Sequence, residues 1–110
     1  MDIRKLDHDV AIAGQLAPQG LAELRDAGYA AIICNRPDEE PGGQAPFAEL
    51  AAEAERLGMQ ARYLPVVPGR ITPADGAAFA ALLEELPKPL VAYCRTGNRS
   101  ETLWKLARGG

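Results

Sequence analysis

Pro89-Leu90-Val91-Ala92-Tyr93-Cys94-Arg95-Thr96-Gly97-Asn98-Arg99-Ser100 passes from an apolar run into a short polar loop, and Glu101-Thr102-Leu103-Trp104-Lys105-Leu106-Ala107 continues it with helical patterning. Strand, tight loop and helix is the reading. It puts the Cys94 sulfur at the carboxyl end of a buried strand, with successive loop N–H groups turned inward at a helix start to form an anion nest. A thiol in that position, flanked by Arg95 and Arg99, is expected to have a depressed pKa and to be a nucleophilic thiolate at neutral pH. The alternative is a structural connection whose cysteine is a small buried hydrophobe. Two arginines, a glycine and several small polar residues around one thiol favour the reactive reading. Cys94 and Arg99 are therefore the expected catalytic pair, and Arg95, Thr96, Gly97, Asn98 and Ser100 the expected anion-binding shell.

Outward from this stretch, apolar runs of strand length alternate with helical stripes. Tyr29-Ala30-Ala31-Ile32-Ile33-Cys34 has no polar position, as a strand covered on both faces of a parallel sheet requires. Ile3 to Leu6 and Val10 to Ala13, separated by Asp7-His8-Asp9, read as a small hairpin, with His8 a solvated turn residue. Pro18 opens a helix whose stripe is Leu21, Leu24, Arg25 and Ala27, closed by Gly28. A second helix runs from Pro46 to Leu57, and a strand from Ala61 to Val67 follows it. Thr72-Pro73-Ala74-Asp75 is a helix start with threonine at the N-cap, proline at N1 and an acid at N3. The helix it opens extends to about Leu86, with Phe79, Leu82, Leu83 and Leu86 on its buried face.

This alternation defines an α/β fold with three layers, a mainly parallel central sheet between helices, in one domain over residues 1–110. Right-handed crossovers bring the loops after Cys34, Val67 and Tyr93 to one sheet edge, where ligands of open α/β sheets bind. The net charge of −3 offers no basic field for nucleic acid, and no apolar stretch has membrane-spanning length. The two cysteines, Cys34 and Cys94, lack metal-type spacing, so no metal or other cofactor is expected. No basic-then-apolar leader pattern opens the chain, and a catalytic thiolate needs reducing surroundings, which together point to the cytoplasm.

The loop Cys94-Arg95-Thr96-Gly97-Asn98-Arg99-Ser100 resembles that of single-domain rhodanese sulfurtransferases, where four residues separate cysteine and arginine. It also resembles the protein tyrosine phosphatase signature C-x-x-G-x-x-R-[ST], with one residue missing between Gly97 and Arg99. The remainder, including Gly14-Gln15, Asn35-Arg36-Pro37-Asp38 and Leu64 to Pro73, resembles the bacterial phosphatase-like domain of beta-lactamase-hydrolase-like proteins. That resemblance implies a protein tyrosine phosphatase-like fold, a link to sulfur transfer and a persulfide dioxygenase as partner. Rhodanese domains continue into another strand after the post-loop helix, whereas this sequence stops at Ala107-Arg108-Gly109-Gly110.

Two chemistries follow for the same site. A phosphatase usually needs an acid for its leaving group, and Val66-Val67-Pro68-Gly69-Arg70-Ile71-Thr72 carries no carboxylate. Asp75 is explained by its N3 position, and Asp38 lies on another loop. The shorter loop also suits a sulfur atom better than a phosphoryl group. The expectation is thus a sulfurtransferase moving sulfane sulfur from thiosulfate or glutathione persulfide to a thiol through a Cys94 persulfide. The alternatives are a cysteine-dependent phosphatase of low activity on phosphate esters, or a non-catalytic anion-binding module. Cys34, closing an apolar strand, is read as core rather than as a resolving thiol.

Overall fold

Two strands buried at every position, β3 (Ala31–Cys34) and β5 (Leu90–Tyr93), lie side by side and set the architecture. The computed structural model describes residues 2–109. Its other strands and α-helices are β1 (Ile3–Lys5), β2 (Val10–Ala13), α1 (Leu21–Asp26), α2 (Phe47–Arg56), β4 (Gln60–Tyr63), α3 (Pro73–Glu85) and α4 (Asn98–Ala107). The strands form one sheet in the order β1-β2-β5-β3-β4, parallel throughout except for the hairpin partner β1.

Alternation along the central strands divides the core. Ala11, Ala13, Ile32, Cys34, Val91 and Tyr93 pack on one face against Leu21 and Leu24 of α1 and Leu50 and Ala54 of α2. Val10, Ala31, Ile33, Leu90 and Ala92 pack on the other against Phe79 of α3 and Leu103 of α4. Each large side chain so buried contributes about 1.5–3 kcal/mol. The result is the expected α/β sandwich of three layers, with the carboxyl ends of β2, β3, β4 and β5 on a common edge.

The helix start at Thr72 is as the sequence dictates: Thr72 Oγ1 accepts from the Asp75 amide at 3.2 Å, and Asp75 Oδ2 accepts from the Thr72 amide at 2.9 Å. Several boundaries and two buried faces differ from expectation. The strand expected over 61–67 ends at Tyr63: the Leu64 and Val66 amides still reach the carbonyls of Cys34 and Asn35, but these acceptors are adjacent rather than alternate residues, so the parallel ladder is not continued. The helix expected from Pro18 begins as a 3-10 turn over Pro18–Gly20, and α1 stops at Asp26; only Leu21 and Leu24 of its expected stripe are buried, Arg25 and Ala27 being exposed. On α3, Phe79 and Leu86 are buried while Leu82 and Leu83 are only partly covered. At the crucial turn, α4 begins at Asn98 rather than Glu101, so Asn98, Arg99 and Ser100 form its first turn. The amides of Arg99 and Ser100 have no partner within the helix and are available to a neighbouring anion, whereas that of Asn98 is taken by Thr96 Oγ1.

Candidate active site

Cys94 follows the last residue of β5 and is 1% exposed. The Gly97 amide donates to its Sγ at 3.0 Å. Burial alone pushes the Cys94 thiol up, but the amides of Ser100, Thr96, Arg99 and Gly97 together outweigh it, and the thiol lies below its usual range. Two glycines make this ring possible. Gly97 has φ +95°, where a side chain is strained, and serves as N-cap of α4. A Cβ on Gly14 would come within 3.1 Å of the Arg95 carbonyl, which accepts from the Gln15 amide at 3.2 Å, so the loop after β2 can close against the Cys94 loop.

Arg99 is 7% exposed and reaches across the sheet edge. Its Nη1 donates to Glu40 Oε2 at 2.6 Å and to the Val66 carbonyl at 2.9 Å, while Nη2 donates to Glu40 Oε1 at 3.0 Å. The loops after β3, β4 and β5 therefore converge as expected. Ser100, fully buried, donates through Oγ to Asn35 Oδ1 at 2.8 Å, and Asn35 Nδ2 donates to the Leu64 carbonyl at 2.9 Å. Its hydroxyl thus braces the loop, and its amide faces the sulfur. Thr96 Oγ1 accepts from the Asn98 amide at 3.4 Å, and the Asn98 carbonyl accepts from Thr102. Arg95, Thr96 and Asn98 are exposed around the rim. Beside them an open groove of about 430 Å³ is lined by Pro68, Gly69, Ile71, Asn98, Arg99 and Thr102.

The carboxylates left open by the sequence are engaged elsewhere. Asp75 closes the capping box of α3, and Asp38 Oδ1 accepts from the Phe47 amide at the start of α2. Glu40 is the acid beside Arg99, and the guanidiniums of Arg99 and Arg36 hold its carboxyl below the usual carboxylate range. Glu40, Arg36 and Asn35 complete the site although no motif in the sequence marks them as site residues. The only local signal was the density of polar residues just after a buried strand end.

Cys34 shares the edge with Cys94 but belongs to the sheet face packed on α1 and α2. Its Sγ donates to the Arg36 carbonyl at 3.3 Å, and burial pushes the thiol up. Iodoacetamide should therefore modify one thiol in the folded protein, with an inflection in rate below the ordinary thiol pKa of about 8.5. Cys94→Ser should abolish the reaction and Cys34→Ser leave it intact; two equally fast thiols would refute the assignment.

A cysteine just after a central parallel strand, its thiol lowered by a glycine-hinged ring of amides, and an arginine in the first turn of the following helix define a protein tyrosine phosphatase-like domain. The chain belongs to the family of phosphatase-like domains of beta-lactamase hydrolase-like proteins, whose pattern matches residues 2–110. It is 33% identical over 102 residues to a beta-lactamase hydrolase-like protein of Agrobacterium fabrum, spanning 93% of this chain but 24% of that protein. The chain thus spans about a quarter of the length of the curated relatives it matches. The structure of a candidate phosphatase from Neisseria meningitidis superposes with a TM-score of 0.90 at 36% identity, covering 98% of this chain and 77% of that one. The core catalytic domain of a PP-IP phosphatase from S. cerevisiae, in complex with citrate, gives 0.75 at 13% identity over 97% of this chain and 64% of that one, a likeness of fold alone. The family's description and the Neisseria meningitidis structure both speak of a phosphatase, the alternative chemistry rather than the sulfurtransferase expected first from the sequence.

Proposed function

We propose that this domain is a cysteine-dependent phosphatase restricted to substrates whose leaving group departs without protonation. The observation that carries the reading is the Cys94 sulfur inside a ring of amides with the Arg99 guanidinium beside it. The thiolate attacks phosphorus, the ester or anhydride oxygen leaves with its bonding electrons, and the loop amides and Arg99 take the charge on the phosphoryl oxygens. Water then hydrolyses the phosphocysteine and restores the thiol. Asp38 and Asp75 are committed to helix starts, and Glu40 is held ionised between two guanidiniums, so none of these three carboxyls serves to protonate a poor alkoxide. Aryl phosphates and phosphoanhydrides are the classes that fit. Free thiols call for a reducing compartment such as the cytoplasm.

Sulfur transfer is the second reading, and loop length favours it. With one residue fewer than the phosphatase signature, the amide ring is tighter and better matched to one sulfur atom. Cys94 thiolate would attack the sulfane sulfur of thiosulfate, or the outer sulfur of glutathione persulfide, expelling sulfite or glutathione thiolate. An acceptor thiolate would then take the outer sulfur and release Cys94. A persulfide dioxygenase is the partner such a reaction would serve.

Parallel assays against an aryl phosphate and against thiosulfate with an acceptor thiol separate the readings. Phosphate release is the expected result; a one-sulfur mass gain on Cys94 without phosphate release would reverse the order. In either chemistry Arg99→Lys keeps the charge but loses the planar fork, and activity should fall about 10- to 100-fold. Arg95 is exposed at the rim, and Arg95→Ala should cost less than about threefold in kcat/KM. A greater loss from Arg95→Ala than from Arg99→Ala would invert these roles.

A further inference from the structure

Arg70 and Arg95 are the two arginines that make no ion pair with a carboxylate of the described residues. All the others are paired, from Arg4 with Glu101 near the start of the chain to Arg108 with Asp7 near its end. Both exceptions are exposed, and both stand on loops that build the active site. The chain has 15 acidic and 12 basic residues, so these two are not unpaired for want of carboxylates.

The backbone fixes the place of each. The Arg70 amide donates to the Val67 carbonyl at 3.0 Å and closes a turn over Val67-Pro68-Gly69-Arg70. Proline at its second position and Gly69 at φ +76° in its third are the requirements of a type II turn. That turn is anchored to the site one residue earlier, since the Val66 carbonyl accepts from Arg99 Nη1 at 2.9 Å. On its other side Thr72 begins the capping box of α3. Arg70 thus stands between Gly69 and Ile71, two residues that line the groove beside Arg99 and Asn98. Arg95 follows Cys94 directly, and its carbonyl is held by the Gln15 amide at 3.2 Å.

An exposed ion pair contributes little to stability, so the fold loses nothing by leaving these arginines free. An internal carboxylate would occupy the fork of donors that each can offer to a ligand. A guanidinium left open beside an anion seat raises the local positive potential and presents parallel N–H groups to a second oxyanion. We propose that Arg70 and Arg95 hold a second anionic group of the substrate, so that the substrates are small phosphate esters or anhydrides bearing a further carboxylate or phosphate. The inference rests on the phosphoryl seat over Cys94 and Arg99 that the proposed function assigns. The competing idea is that both arginines are solvated surface charges with no part in recognition.

Protection of Cys94 from iodoacetamide by arylphosphonates, which are not hydrolysed, reads binding without turnover. Phenylphosphonate fills the seat alone, whereas meta-carboxyphenylphosphonate and meta-phenylenediphosphonate add a second anion. Meta-carbamoylphenylphosphonate adds the shape of the carboxylate without its charge. Both doubly anionic probes should protect at concentrations about three- to tenfold lower than the carbamoyl probe, as exposed charge-assisted contacts allow. The tighter of the two identifies the second group as carboxylate or phosphate. Arg70→Gln and Arg95→Gln should each reduce that preference, and the double variant should abolish it, with thermal unfolding showing that each is folded. Equal protection by charged and carbamoyl probes in the natural protein, or a preference that survives the double variant, would overturn the proposal. The same probes separate it from the reading on which it rests. The preference without phosphate release from any aryl phosphate would refute the phosphatase and leave the second-anion seat standing; phosphate release without the preference would do the reverse.

Discussion

Cys94→Ser is expected to lower turnover by about three orders of magnitude or more and to retain phosphate binding. Both proposed chemistries pass through a covalent adduct on this sulfur, so there is no second route for the reaction to take. The amide ring that brings the thiol below its usual range cannot bring a serine hydroxyl, which is far less acidic, within reach of ionisation at neutral pH. Serine is close to cysteine in volume, and Cys94 is buried beside backbone donors that an oxygen can also use, so the loop should keep its shape. Steady-state rates on the best aryl phosphate or sulfur donor, together with phosphate affinity by calorimetry, check both halves of the expectation. A variant with more than about a tenth of the natural rate would mean that another group is the nucleophile, and the site would have to be redrawn.

The fold was legible wherever a local physical rule decides it. Continuous burial at Ala31–Cys34 and Leu90–Tyr93 announces central parallel strands, and the Thr72 and Asp75 pair announces a helix start. Cys94 was legible for the same reason, since the nest and the helix end come from residues adjacent in sequence. What escaped was the long-range polar bracing. Glu40 meets Arg99 across 59 residues of sequence, and Asn35 meets Ser100 across 65. Nothing in the composition of the loop after β3 says that its acid will lie under the guanidinium of a helix near the other end of the chain. The expected order of the two chemistries fared as it did for a related reason. Loop length is a local feature that favours sulfur, whereas family membership, carried by the whole chain, weighs toward phosphate.

Asn35 is where that unseen bracing is tested most severely. It is fully buried at the end of β3, and its amide donates to the Tyr93 carbonyl at 2.7 Å while its carbonyl accepts from Val66 at 3.0 Å. Its side chain adds the bonds to Ser100 Oγ and the Leu64 carbonyl, at 2.8 and 2.9 Å. Asn35→Ala leaves the backbone bonds but strands a buried hydroxyl and removes the donor from a carbonyl. At about 1–3 kcal/mol for each unsatisfied group, the loss should be about 3 kcal/mol, or roughly 12 °C in Tm for a chain of this size. Ser100→Ala strands only Asn35 Oδ1 and should cost less. Because the two residues share one bond, the double variant should be less destabilised than the sum of the single ones by about 1 kcal/mol. The iodoacetamide rate at Cys94 should also drop in both single variants, since the Ser100 amide that faces the sulfur depends on this brace for its position. Strict additivity in the cycle, or a fall in Tm of under about 3 °C for Asn35→Ala, would show that Ser100 is held by the helix alone and that the Asn35 side chain contributes nothing to the thiolate site.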